Sequence, residues 1–548
     1  MEAPSASVVP ERAASSSSVR GLRAGAEDEG GSVRLLRWRV SKEIYFLLLL
    51  SLLSAVLNAD VNLLAPVLTP VAREFGFVHR DANGSVVMEY DDELGRMVAK
   101  VDVSERDTRL GGDITMAFFT IGGVTSLLLG YLSDTVNRRN TLALVVVLGE
   151  ASCMATYFLA WAGYWGLFCT RALTGISIGG AVPLIFSLVG DLFRAEHRGK
   201  AIAAVGIAIG GGTGFGQSIA GPVAGQDGAN WRTSFLIVSI PAFFLAALLM
   251  LTVEEPPRGH KEAAFLSQQQ DRQERSKDTE ALQSPQTEQE QPSYSEKITW
   301  AKFRRLVSTP TVVLVLLQGA FGSLPWGAFG GFMSDFLAVE KGMDIRLTGV
   351  VLLIFGVGIL AGSLAAGLVV DKMWAHHKRI IPLLLMATTV AGAVPMVFYV
   401  EAKPLGFGPT ALFIIPAGFG LGFAGNSTKF LIANVAVPEA RGSAFALLNL
   451  FDDLGKGVGV FLLSKMFLLF EATPERSARQ QGITVAFAVG WPLCGIVCGA
   501  IYFFIERDYA RAQADVAGAI GNAELALAKA KLAPAKAELA PADDAGPP

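Results

Sequence analysis

The sequence predicts an all-α membrane protein of twelve transmembrane helices, arranged as two pseudo-symmetric six-helix bundles. Three observations predict it. Apolar runs long enough to cross a bilayer recur twelve times, a polar stretch divides them six and six, and matched landmarks stand at equivalent places in both halves. A spanning helix needs about 20 mostly apolar residues, because in lipid every backbone N–H and C=O must be bonded internally.

Composition supports this reading. Of 548 residues, 51% are hydrophobic and 17% charged, and the mean hydropathy is +0.44. Soluble domains carry about 25% charged residues, so much of this surface must face lipid. A net charge of −3 gives no footprint for a nucleic-acid partner. Cys153, Cys169, Cys494 and Cys498 all fall inside apolar runs. They offer no disulfide framework and no metal spacing, and neither a metal nor a cofactor is expected.

Residues 1–42 open with an Ala/Ser/Gly-rich stretch that includes Glu27, Asp28 and Glu29 and has no apolar core. They read as a disordered cytosolic tail rather than a secretory or transit signal. The first bundle, 43–254, has spans near 44–69, 114–133, 140–162, 165–190, 200–224 and 232–252. The Gln/Glu/Lys/Arg/Ser-dense segment 255–305 reads as a flexible cytosolic linker. The second bundle, 306–506, has spans near 311–337, 346–370, 379–400, 409–435, 442–470 and 483–505, and 507–548 is a cytosolic tail.

Basic residues set the orientation. Arg34, Arg37, Arg39 and Lys42 precede the first span, and Arg138, Arg139, Arg194, Arg198, Lys200, Lys378 and Arg379 fall in loops on the same side. The positive-inside rule places that side, with both termini, in the cytosol. The loop 74–112 is then extracytosolic, and its Asn83-Gly84-Ser85 is an N-glycosylation sequon on the side where such a site can be used.

The halves repeat one another. Gly130, Asp134, Arg138 and Arg139 end the second span; Gly367, Asp371, Lys378 and Arg379 end the eighth. Arg198-Gly199 before the fifth span is echoed by Arg441-Gly442 before the eleventh. Landmarks in the same order in both halves indicate duplication. With Arg171, Gly175 and Gly179 in the fourth span and the glycines of the fifth, these segments resemble the signature motifs of the major facilitator superfamily over about residues 43–506. Asn137 stands where that family's loop usually has glycine. Asp191-Leu-Phe-Arg-Ala-Glu-His-Arg198, Trp231-Arg232, Glu255-Pro-Pro-Arg258, Pro325-Trp326-Gly327 and Asn449-Leu-Phe-Asp452-Asp453 resemble the spinster-like branch. The resemblance implies a transporter that works by alternating access, with a lysophospholipid, sphingolipid-like or other amphipathic anion as substrate.

Charges inside spans are costly and mark candidate sites. Asp60 lies about 24 Å along an outward-running first span and Arg171 about 9 Å below the outer end of the fourth, so the two can pair. Protonation of Asp60 would loosen the pair and couple a proton to transport; the alternative is a static ion pair. Asn58, Asn62, Trp326, Asn426, Lys429, Asn449, Asp452, Asp453 and Lys456 are the candidate substrate residues. Asp452 and Lys456 are expected to pair at i,i+4, with Lys429 meeting one of the acids. Glu150 is expected to make a local structural bond at the bundle periphery. Gly130, Asp134, Arg138, Arg139, Asp191 and Asp371 form the candidate cytosolic gate, in which both arginines can reach Asp191. Gly206, Gly210 and Gly214 read as helix-packing positions rather than a phosphate loop.

The expected partners are a small-molecule or lysolipid substrate, protons and the bilayer, with the protein a monomer. Two rival readings stay open. One is a carrier of a small polar solute, such as an organic acid or sugar; the other is a transporter-like receptor or scaffold. No Walker motif and no nucleophile–base pair points to an enzyme. A lateral opening between spans 5 and 8 would favour lipid, and a closed polar cavity would favour the solute.

Overall fold

The computed structural model describes residues 32–35, 38–91, 95–225, 227–256, 299–343, 345–403, 405, 407–471, 473, 476–519 and 521. The described residues up to Phe46 form a unit of their own. In it β1 (Ser32–Leu35) pairs antiparallel with β2 (Trp38–Ser41), from Ser32↔Ser41 to Leu35↔Trp38, within the stretch expected to be disordered tail.

The first half starts with α1 (Lys42–Val61) and the short α2 (Leu68–Phe75). Gly76 ends α2 at φ 78°, donating to the Ala72 and Arg73 carbonyls. A hairpin of β3 (Met88–Asp91) and β4 (Arg96–Ala99) follows. Next come α3 (Val103–Arg106), α4 (Ile114–Thr135), α5 (Arg138–Phe158), α6 (Gly163–Leu192), α7 (Ala195–Ala224) and α8 (Thr233–Thr252). The second half has a short α9 (Trp300–Val307), which starts in the expected linker and runs past its end, and then α10 (Pro310–Val339), α11 (Ile345–His376) and α12 (Ile380–Glu401). It continues with α13 (Phe407–Val435), α14 (Arg441–Leu469), α15 (Ala478–Ala500) and α16 (505–519).

Among the described residues, eleven helices are long and apolar enough to cross a membrane. The remaining long helix, α14, has 29 residues but includes Asp452, Asp453, Lys456 and Lys465, which lower its hydropathy. It packs against α4, α6 and α10 inside the bundle, where those charges find partners or a cavity. The second span starts earlier than the sequence predicts. Asp102 caps α3 by accepting from the Ser104 and Glu105 N–H groups at 3.0 and 3.1 Å, and the chain runs through a π-helical segment, Asp107–Asp113, into α4. The charges there look like a loop in sequence, but Arg106 and Asp107 are buried.

The two halves meet along two equivalent seams, α4 with α14 and α7 with α11. The repeated glycines explain the repetition. A Cβ on Gly130 would lie 2.1 Å from the Ala446 Cβ, and one on Gly367 would lie 2.8 Å from the Ala203 Cβ. Gly130→Val is therefore expected to prise α4 from α14 at about 1–3 kcal/mol, read as a lowered melting temperature in detergent. On α7, Gly212 and Gly216 seat against the Ala55 and Ala59 carbonyls of α1, while Gly206 and Gly210 face Asn426 and Ile359 of the other half. Outward-facing Leu128, Leu251 and Trp161 are exposed, as suits side chains against lipid and, for Trp161 at the α5–α6 turn, the membrane interface.

Candidate functional site

Between the halves lies a cavity of about 210 Å³. Residues from α1, α7 and every long helix of the second half line it, and α7 and α11 supply Gly206, Gly210, Thr213, Ile359 and Ser363. Six of the nine expected substrate residues face it: Asn58, Trp326, Asn426, Lys429, Asp452 and Lys456. Asn62 lines a smaller adjoining space, where its side chain donates to the Asn58 carbonyl and accepts from Gln217. Asn449 and Asp453 do not line the cavity; they are buried behind it and bonded to each other at 2.8 Å.

The charge pairing differs from the expected one. Lys456 donates to Asp453 at 3.1 Å, an i,i+3 pair, and not to Asp452. Asp452 instead packs against Gly319 of α10, where a Cβ would lie 2.4 Å from its Oδ1. Lys429 makes no close ion pair with either acid among the described residues, though it and Asp452 feel each other's charge across the cavity; its ammonium sits 4.6 Å from the Phe186 ring centroid. The cavity wall therefore presents two ammonium groups and one carboxylate, with one of the ammonium groups, Lys456, already paired with the buried Asp453 behind it. Three lining donors, Asn426 Nδ2, Thr389 Oγ1 and Trp491 Nε1, have no acceptor among the described residues, so they are available to a bound molecule. Trp326, Ile359, Leu421 and Trp491 supply apolar wall.

Asp60 and Arg171 pair as the sequence predicts. Arg171 Nη1 donates to Asp60 Oδ1 at 2.6 Å and Nη2 to the Asp60 carbonyl at 3.1 Å. Phe118 and Phe235 sandwich the guanidinium at 5.1 and 5.2 Å. Glu150 is not peripheral. It is 0% exposed, with Asp60 and Cys153 beside it. The close approach of Gly149 to Ser177 brings α5 against α6 and carries Glu150 inward.

Ion pairs join the halves at both ends of the bundle. On the basic face, Asp191 accepts from Arg138 at 2.6 Å and from Arg441 of the second half at 2.7 Å. Arg198 donates to Asn434 at 2.9 Å. Asp371 accepts from the Gly199 and Lys200 N–H groups at 3.0 and 3.2 Å, where the N-terminal end of α7 favours an anion. Arg139 does not reach Asp191; it donates to the Val253 carbonyl at 2.5 Å. The Asp134 side chain lies outside the described residues.

The opposite, hairpin face has a second cluster that the sequence reading missed. Arg106 binds Asp335 of α10 through both nitrogens, at 3.0 and 2.6 Å, and also Asp107 at 2.8 Å. Arg479 of α15 meets Asp335 at 2.8 Å and Asp107 at 3.3 Å. The signal that could have found it was Asp335 inside an apolar run. At the rim, burial holds the Glu340 carboxyl above its usual range, against the pull of Ser477 and Arg479. Asn83 is exposed on the turn before the hairpin.

A model of the Major Facilitator Superfamily matches residues 50–460. Protein spinster homolog 1 of Mus musculus is 26% identical over 440 residues, covering 75% of this chain and 76% of its own. The sphingosine-1-phosphate transporter SPNS2 of Danio rerio is 22% identical over 422 residues, 72% of this chain and 77% of its own. Among solved structures, the proton:xylose symporter XylE has a TM-score of 0.62 at 16% identity, covering 85% of this chain and 96% of its own. A bacterial homolog of the human lysosomal transporter Spinster, in an inward-facing form, has a TM-score of 0.51 at 16% identity, covering 86% and 98%.

Proposed function

Because the chain belongs to the Major Facilitator Superfamily, a family of membrane transporters, we propose that it is a proton-coupled secondary transporter of an amphipathic anion, a lysophospholipid or a sphingolipid-like phosphate. The observation that carries this reading is the cavity's mixed charge, Lys429, the Asp453-paired Lys456 and Asp452, beside a wall of Trp326, Ile359, Leu421 and Trp491. An anionic or zwitterionic head group matches that set, and the apolar wall accepts the start of a chain. The spinster-like relatives, one of them a sphingosine-1-phosphate transporter, support the same class.

Asp60 and Arg171 carry the proton coupling in this reading. The pair is desolvated, so protonating Asp60 removes half of an ion pair that water cannot replace. The Asp191 and Asp371 contacts gate the cytosolic side, and the Arg106–Asp335–Arg479 cluster gates the other. Each set must break for its own side to open. The basic face, with both termini, lies in the cytosol, and Asn83 is glycosylated on the far side. The transporter acts as a monomer.

A second reading has support. About 210 Å³ is below the roughly 300–1,000 Å³ of pockets for drug-sized ligands, and the seam between α7 and α11 is closed by Gly210 against Ile359. Both favour a small polar solute. Uptake into proteoliposomes decides between them, with lysophosphatidylcholine, sphingosine-1-phosphate, citrate and xylose offered separately. Lysolipid or sphingosine-1-phosphate uptake that citrate and xylose fail to compete supports the amphipathic reading; uptake of citrate or xylose alone discards it. Within the amphipathic reading, Lys456→Met is expected to cut uptake about tenfold or more, since a charge-assisted hydrogen bond contributes about 1.5–3 kcal/mol. The initial rate at low substrate concentration measures it.

A further inference from the structure

We propose that Glu150 is the second half of the proton site: Asp60 and Glu150 share one proton, and Glu150 holds it while Asp60 is paired with Arg171. The use of this proton in transport rests on the proton-coupled reading above; its presence rests on geometry.

The charge count forces the question. One ligand-capable atom from each of Asp60, Glu150 and Cys153 lies within 4.8 Å of the others. Asp60, Glu150 and Cys153 are 0% exposed and Arg171 is 3% exposed. Two ionised carboxylates facing one guanidinium would leave a net negative charge where no water reaches, at a cost of several kcal/mol. One proton makes the cluster neutral.

Hydrogen bonding says which acid holds it. Asp60 Oδ1 accepts from Arg171 at 2.6 Å and from the Cys153 thiol at 3.0 Å, and the Asp60 carbonyl takes the second guanidinium nitrogen. Asp60 Oδ2 has no partner among the described residues, but the three donors to Oδ1 and the carbonyl make Asp60 the better place for the negative charge. Among the described residues, neither oxygen of Glu150 has a hydrogen-bond partner. The neighbouring Ser177 hydroxyl has one proton, and it goes to the Thr174 carbonyl at 2.8 Å. A carboxylate stripped of water and of donors is the state burial penalises most; the neutral acid tolerates such a place.

Every other element around Glu150 leaves the count unchanged. The helix α8 contributes the Phe235 ring and carbonyl and has no titratable residue along Thr233–Thr252. The helix α4 contributes Phe118 beneath Arg171. The helix α6 contributes Arg171 alone among charged groups, and α1 contributes Asp60. A sodium ion is a poor occupant, because Arg171 already supplies the cation and Cys153 donates its proton to Asp60 rather than offering a thiolate.

The arrangement gives the proton somewhere to go. When the bundle opens and Asp60 leaves Arg171 for water, the proton passes from Glu150 to Asp60, the freed Glu150 carboxylate takes the guanidinium, and the hydrated Asp60 releases the proton to the open side. Arg171 then always has one anionic partner, and the exchange avoids an unpaired charge.

The test is the infrared spectrum of the purified full-length protein at neutral pH, where a protonated buried carboxyl has a carbonyl stretch distinct from that of a carboxylate. The wild type is expected to show this band and Glu150→Gln to lose it, with no fall in melting temperature, since glutamine copies the size and neutrality of the protonated acid. Asp60→Asn is also expected to lose it, because Glu150 then ionises to pair with Arg171. Several results overturn the proposal: loss of carboxylate absorbance in Glu150→Gln, failure of that variant to fold, a band that persists in Asp60→Asn, or a band removed from the wild type when sodium replaces choline. If the band behaves as expected while wild-type liposomes move substrate without protons, the coupling reading fails and the shared proton stands.

Discussion

Asp60→Asn is expected to abolish pH-driven accumulation of substrate while exchange across the membrane continues. Asparagine keeps the shape of Asp60 but cannot be an anion, so the pair with Arg171 at 2.6 Å loses its charge in every state. Stripping one partner from a buried pair typically costs about 3–5 kcal/mol. Here the nearby Glu150 can become the anion that Arg171 needs, so the variant is expected to fold. What it loses is a site able to hold the proton in one conformation and release it in another. The expected phenotype is a carrier that equilibrates but does not concentrate. Counterflow into preloaded liposomes, measured beside uptake under a pH gradient, separates the two activities.

Asp335→Asn is expected to open the hairpin face. Asp335 is the acceptor shared by Arg106 and Arg479, at 2.6 and 2.8 Å, and the arginines belong to different halves. With that carboxylate gone, the closed face keeps two buried guanidinium groups around Asp107, with Glu340, 3.6 Å from Arg479, beside them. A penalty of about 3–5 kcal/mol shifts a two-state equilibrium by more than about 100-fold. Spin labels on β4 and on the turn before α15 should report a longer distance in the variant than in the wild type. An unchanged distance would mean that this cluster holds the fold together and does not gate.

What could be read in the sequence followed the strength of its physical signals. Bilayer-length apolar runs located the long helices, and the Gly130/Gly367 repeat marked the two seams where backbones touch. The Asp60–Arg171 pair was legible because depth along two antiparallel helices is simple arithmetic. Partners within α14 were not. Asp452 and Asp453 stand four and three residues before Lys456 on the same helix, so both spacings allow a pair, and the side-chain rotamers set by packing on α4 and α10 decide which one Lys456 meets. Glu150 was misplaced because a third span was assumed to be peripheral, whereas the Gly149–Ser177 contact turns it inward. The Arg106 cluster was hidden because charges at a helix start look like loop until their partners from the other half are in place.

The most direct test of proton-coupled transport is proton movement itself. Proteoliposomes carrying an entrapped pH-sensitive dye receive sphingosine-1-phosphate from outside under an imposed pH gradient, with wild type and Asp60→Asn side by side. The account predicts that substrate addition drives protons across the wild-type membrane, with accumulation rising about tenfold for each pH unit per coupled proton, and that Asp60→Asn moves none. Substrate entry without proton movement in the wild type, or equal proton movement in the variant, would contradict it.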